Sequence, residues 1–192
     1  MTQVRNVAVV VGSLRKDSVS RKLAHAFAAV APANLKFDIV EIGDLPHFDQ
    51  DLESDPPAPW TAFRARIAAA DAVLFVTPEY NRSVPGVLKN AIDVGSRPYG
   101  ASVWNGKPGA VISVSPGGIG GFGANHHLRQ SLVFLNVPLL SQEAYVGSAF
   151  TLFDESGALA NEATAEFLRT YDQAFAAWID TIAPAGEARK AA

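Results

Sequence analysis

The chain has 192 residues, 48% of them hydrophobic and 18% charged, with a formal net charge of −3 at pH 7. That length and make-up suit one folded domain with a sizeable core. They exclude a global basic field for nucleic acid and the acidic excess of a small electron carrier. Cysteine is absent, which removes disulfides, thiol redox chemistry and cysteine metal sites together, so any redox chemistry has to come from a bound cofactor.

Val4 to Val11 is an aliphatic run that reads as a buried parallel strand. The hydroxyl-rich stretch Gly12-Ser13-Leu14-Arg15-Lys16-Asp17-Ser18-Val19-Ser20-Arg21 follows it. Leu23, Ala26, Phe27 and Val30 then share one side of a helix that Pro32 and Asn34 close. Leu35 to Ile42 alternates apolar and polar, the pattern of a half-exposed or edge strand. Residues 43–59 place Pro46, Pro56, Pro57 and Pro59 among Asp49, Asp51, Glu53 and Asp55, and read as a long, solvated, helix-poor loop. Trp60, Phe63 and Ile67 recur at helical spacing, predicting a helix over 60–70, and Ala72 to Thr77 reads as a central strand.

Pro78-Glu79-Tyr80-Asn81 interrupts the chain directly after that strand. Ser83 is the expected N-cap of the next helix, with Pro85 in its first turn and Leu88, Ala91 and Ile92 on its apolar side. Gly109 to Val114 is a further strand, followed by the glycine-dense Ser115-Pro116-Gly117-Gly118-Ile119-Gly120-Gly121 and a helix from about Ala124. Val137 to Leu140 is the expected last strand, with Glu143 to Phe150 as its continuation, and Ala163 to Ile182 is a long amphipathic helix. This alternation predicts an α/β domain around one parallel sheet, spanning residues 1–183, with 184–192 a disordered tail. No apolar run reaches the roughly 18 residues of a membrane span, and no charged segment followed by an apolar one opens the chain. A cytoplasmic location without membrane or nucleic-acid partners is the expectation.

In doubly wound sheets ligands bind beyond the carboxyl ends of the strands, near the point where strand order reverses. Three unusual segments follow predicted strands: Ser13 to Ser20, Pro78 to Asn81 and Ser115 to Gly121. Their convergence on one rim argues for one ligand. The first is rich in hydroxyls, opens a helix, and carries Arg15, Lys16, Arg21 and Lys22 against Asp17, about +3 in all. It reads either as a Ser-rich helix cap or as a site for one terminal phosphate. A dinucleotide fingerprint fails, because only Gly12 of its three glycines is present, and a P-loop fails too. In the second, backbone groups and the Asn81 amide suit the edge of a flat heterocycle, with Tyr80 packing nearby; the bland reading is a β-turn. In the third, glycines allow a planar ring to lie against backbone, or simply make a flexible loop. His126 and His127 are adjacent on a predicted helix and so diverge, which excludes an i, i+4 metal pair. No nucleophile elbow, metal cluster or protein-supplied acid or base is evident.

Gly12-Ser13-Leu14-Arg15 with Ser18, together with Pro78-Glu79-Tyr80-Asn81-x-Ser83-x-Pro85-Gly86-x-Leu88-Lys89-Asn90-Ala91-Ile92-Asp93, resembles the NAD(P)H-dependent FMN reductase family, nearest to its chromate- and quinone-reducing members. Ser115-Pro116-Gly117-Gly118 and His127-Leu128-Arg129-Gln130 extend the likeness, which runs from about Val7 to Gly147. The resemblance implies a flavodoxin-like three-layer sandwich with a five-stranded parallel sheet of order 2-1-3-4-5 and helices on both faces. It implies tightly bound FMN, with NADPH or NADH as co-substrate. Acceptors would be small molecules: quinones, azo compounds, free flavin or oxyanions such as chromate. By it, Ser13, Arg15, Ser18, Val19 and Ser20 hold the phosphate, while Pro78, Glu79, Tyr80 and Asn81 with Ser115, Gly117 and Gly118 border the isoalloxazine. It further implies a homodimer, possibly a tetramer, no metal, and no catalytic side chain, since the chemistry is the flavin's and proceeds by a ping-pong mechanism. The rival class is a non-enzymatic FMN electron carrier.

Overall fold

Arg5–Val11 forms β1, and its run of valines is explained by where the two sides of the strand go. Val7, Val9 and Val11 enter one core and Ala8 and Val10 the other. A strand buried on both faces gains nothing from a polar alternate position. The computed structural model describes residues 3–183; the tail expected at 184–192 lies outside them.

The chain continues through α1 (Val19–Val30), β2 (Leu35–Val40), α2 (Ala58–Ala69), β3 (Ala72–Pro78), α3 (Gly86–Ser96), β4 (Gly109–Val114), α4 (Phe122–Phe134), β5 (Ala144–Val146) and α5 (Glu162–Ile182). The strands pair in parallel in the order β2-β1-β3-β4-β5, which is the flavodoxin-like order. The alternation of β2 fits its edge position. One face of the sheet is covered by α1 and α5 through Leu23, Phe27, Leu168, Tyr171 and Phe175. The other is covered by α2, α3 and α4 through Trp60, Phe63, Leu88, Ile92, Leu128 and Leu132. No helix among the described residues is long and apolar enough to cross a membrane.

Three expectations need correction. The fifth strand is Ala144–Val146, paired with Ile112–Val114, whereas Leu139 makes only an isolated bridge to Gly109. Pro138 has no N–H to give a ladder, so residues 137–140 cannot extend a strand. Ser83 does not cap α3, which starts after Pro85; Ser83 instead closes a hairpin with Tyr80. Residues 43–57 are not simply a solvated excursion. Asn90 of α3 accepts from the Phe48 amide and donates to the Leu45 and Pro46 carbonyls, Trp60 donates to Pro46 at 2.8 Å, and Gln50–Ser54 winds into a 3-10 helix. The Glu53–Arg97 ion pair ties that turn to the end of α3.

Candidate active site

The order of the sheet reverses between β1 and β3, and the loops following these strands start in contact. The Gly12 amide donates to Val76 at 2.9 Å. A Cβ on Gly12 would sit 3.0 Å from Thr77 Oγ1 and 3.1 Å from Leu88 Cδ2, so glycine is what permits the approach. Beyond it, every amide from Ser13 to Ser20 lacks a backbone hydrogen bond within the described chain. Ser18 is the N-cap of α1, its hydroxyl oxygen accepting from the Arg21 amide at 3.1 Å. Ser13 and Ser20 are 5% and 2% exposed, and their hydroxyls have no hydrogen-bond partner among the described residues. Amides without backbone partners, the hydroxyls of three buried serines and the positive end of α1 are thus gathered in one loop, the chemistry of a phosphate cradle.

The charge around the cradle is smaller than a count along the chain suggests. Arg21 forms a bidentate pair with Glu41, both bonds 2.7 Å. That pair raises the Arg21 pKa and lowers that of Glu41, so Arg21 is already neutralised by β2's far end. Arg15, Lys16 and Lys22 stay exposed and form no ion pair among the described residues. Asp17 is exposed too.

The second loop is a two-residue hairpin. Tyr80 and Ser83 exchange both backbone bonds at 3.0 Å, while Asn81 and Arg82 take φ values of +51° and +63°. Two left-handed central residues make a type I′ turn, which Asn tolerates and Arg does not. The Arg82 conformation costs about 1–2 kcal/mol, so neighbouring contacts must hold it. Glu79 supplies them: its carboxylate accepts from the Ala124 amide at 3.1 Å and from Arg82 at 2.9 Å. The Glu79 side chain thus braces the loop against α4, leaving Tyr80 and Asn81 exposed at the rim, with the Asn81 side-chain amide unpaired among the described residues.

The third loop divides into two parts. Gly120 and Gly121 have φ of +60° and +76°, and a Cβ on Gly120 would lie 2.7 Å from the backbone of Tyr145; the fold itself requires glycine there. Gly117 and Gly118 are exposed and have ordinary backbone angles. A Cβ on Gly118 would meet nothing within 4 Å, and one on Gly117 only the Ser115 hydroxyl at 3.9 Å. Among the described residues no packing requires glycine at these two positions, whereas a flat ligand resting on the backbone would. Ser115 anchors the loop, its amide donating to Val146 and its carbonyl accepting from Ala149.

A buried polar network supports this loop, and sequence reasoning missed it. Ser113 donates to the Gly120 carbonyl at 2.7 Å, Asn125 donates to Ser113 and to Ala144 at 3.1 Å, and Arg129 holds Asn125 at 2.9 Å. The available signal was Asn125 and Arg129 at i, i+4 on the same stripe as Leu128 and Leu132, where polar residues need partners. His126 and His127 diverge: His126 meets the Tyr145 hydroxyl at 2.8 Å and His127 meets Ser83 at 2.7 Å. Burial, then the Glu143 carboxylate, pushes Tyr145 up to about 12, so its hydroxyl keeps its proton at neutral pH. Among the described residues no three His, Asp or Glu side chains gather as metal ligands.

Residues 5–151 match the family model described as NADPH-dependent FMN reductase. The chain belongs to that family. Its members include quinone reductase of Pseudomonas putida, 61% identical over 181 residues that cover 93% of this chain and 97% of the relative. A 2-hydroxy-1,4-benzoquinone reductase from Burkholderia is 50% identical, covering 90% and 95%. Among solved structures, the flavoenzyme NAD(P)H:(acceptor) oxidoreductase FerB of Paracoccus denitrificans superposes with a TM-score of 0.87 at 45% identity, covering 93% and 98%. As a member of the FMN reductase family this chain is an oxidoreductase that works with FMN and NAD(P)H. The rim fits that cofactor: free amides and buried hydroxyls suit its phosphate, and the unopposed glycines Gly117 and Gly118 suit its ring.

Proposed function

We propose that the three loops form a quinone reductase site in which Ser13, Arg15, Ser18, Val19 and Ser20 hold the FMN phosphate. In the same reading Pro78, Glu79, Tyr80 and Asn81 border one side of the isoalloxazine, and Ser115, Gly117 and Gly118 the other. The observation that carries this reading is the open glycine backbone at Gly117 and Gly118, on the same rim as a ready-made phosphate cradle. The quinone reductases at 61% and 50% identity support the acceptor class. When bound, FMN supplies two-electron chemistry, taking hydride from NADPH or NADH and passing electrons to an acceptor.

The residues of the chain bind and orient. The α1 dipole and the amides of residues 13–20 neutralise phosphate charge. The Asn81 amide and the backbone groups of Tyr80 would address the polar edge of the ring, and the N–H groups at Gly117 and Gly118 would be donors for negative charge that the ring gains on reduction. With both substrates using one open face in turn, the kinetics are ping-pong, and flat or small oxidants such as azo compounds, free flavin and chromate are further acceptors. A rapid anaerobic reaction with NADPH, and separately with NADH, should bleach the bound flavin, and benzoquinone should restore its colour. Protein that stays colourless with added FMN sinks the proposal; yellow protein that neither nucleotide bleaches would favour the electron carrier.

Arg15→Ala should weaken FMN binding about three- to tenfold, the scale of one exposed charge-assisted contact, with no change in the thermal midpoint. Equal affinities in a fluorescence titration would remove Arg15 from the phosphate site. We also propose a homodimer through the face shared by α3 and α4, where Tyr99 is 91% and Phe134 88% exposed and apolar area needs a cover. Phe134→Asp should halve the molar mass found by light scattering.

A further inference from the structure

Two tethers hold the Tyr80–Ser83 hairpin, and they grip its opposite ends. Glu79, at its entry, accepts from the Ala124 amide. Ser83, at its exit, pairs with His127 Nδ1 at 2.7 Å. Ala124 and His127 lie three residues apart on α4 and therefore share one side of the helix. Ser83 is free for this contact because α3 begins only after Pro85, and its hydroxyl makes no other hydrogen bond among the described residues. Among the described residues the His127 side chain has no other hydrogen bond or ion pair; it also lines the groove between α3 and α4 beside Lys89, Asp93 and Phe134. The residues between the two tethers, Asn81 and Arg82, are the two held at positive φ. A strained turn persists only where its surroundings over-determine it.

We propose that His127 is a positioning residue for the cofactor site: acting through Ser83, it holds the hairpin in the turn that presents Tyr80 and Asn81 at the rim. The proposal rests on the rim being the FMN site. It is tested with His127→Ala, His127→Gln, Ser83→Ala and the double variant, first without FMN and then with it. In the apoprotein, His127→Ala should speed hydrogen exchange at the Tyr80 and Ser83 amides about five- to tenfold, because these two donors close the hairpin. With FMN, the same variant should weaken binding about three- to tenfold and shift the visible flavin band. These are the effects of losing one hydrogen bond.

His127→Gln keeps both a donor and an acceptor near Ser83, whichever partner donates in the wild type, and should restore affinity to within about twofold. The double variant should be no worse than Ser83→Ala alone, since the two residues act as one unit. Unchanged exchange at Tyr80 and Ser83 in His127→Ala, or additive losses in the double variant, overturns the proposal. Wild-type protein that takes up no FMN removes the flavin reading and the flavin role of His127 with it. Exchange separates that case from a missing tether, because it is measured without FMN.

Discussion

Ser20→Asp abolishes FMN binding while the apoprotein stays as stable as the wild type or becomes more so. The two effects have opposite signs because one carboxylate serves two masters. Ser20 is the second residue of α1 and is buried, among amides that lack partners. An acidic side chain in the first helical turn interacts favourably with those amides and with the helix dipole, contributing about 0.3–1 kcal/mol. The same carboxylate fills the cradle and faces the phosphate as a like charge. At about 4 Å and an effective dielectric of about 20, that repulsion is about 4 kcal/mol per charge pair, so affinity should fall by at least about 100-fold. Fluorescence titration and a thermal scan of the apoprotein measure the two effects separately. Undiminished FMN affinity would place the phosphate elsewhere.

Asp172→Leu raises the thermal midpoint, and does so far more at pH 8 than at pH 5. Asp172 is fully buried on α5, the helix that packs against α1, and neither carboxyl oxygen has a hydrogen-bond partner. Burial pushes its pKa from 3.8 up to about 8. The native chain keeps a proton that the unfolded chain releases near pH 4. The folded state therefore binds more protons across that window, and stability falls as pH rises from about 4 to 8. An unpaired buried polar group costs about 1–3 kcal/mol, more when charged. Leucine of similar size removes the cost, and a gain of about 2 kcal/mol is worth about 4–8 °C in a chain of this length. Calorimetry across pH 5–8.5 on both proteins is the check. Parallel pH profiles in wild type and variant would show that Asp172 does not titrate in this window.

Asp172 also illustrates what a linear reading loses. At the sequence level it is one acid in a long amphipathic helix, and the apolar stripe of Leu168, Tyr171 and Phe175 hides the fact that Asp172 is buried as well. The central strands, in contrast, were legible, because uninterrupted apolar runs occur where both sheet faces are covered; their order came only from the family resemblance, since hydropathy does not say which strands are neighbours. The error at residues 137–140 came from hydropathy alone: Val137 and Leu140 are buried, but Pro138 cannot donate to a ladder. The misplacement of Ser83 came from a local rule, that serine before a helix caps it, losing to a contact 44 residues away with His127.

The sequence by itself determined which loops differ from ordinary connections and which strands are buried on both faces. These follow from residue type, spacing and the alternation of strands with helices, all of which are local. Only the tertiary structure decided how each loop is held and which of its groups remain available. Arg21 is withdrawn from the cradle by Glu41, the residue just past β2, and the Glu79 carboxylate is turned to α4. Gly120 is demanded by the backbone of Tyr145, while Gly118 faces open space. The physical reason is the same in each case: hydrogen-bond partners and steric neighbours are set by residues distant in the chain. Whether a polar or small residue is occupied or free for a ligand is therefore decided only when the strands are laid side by side.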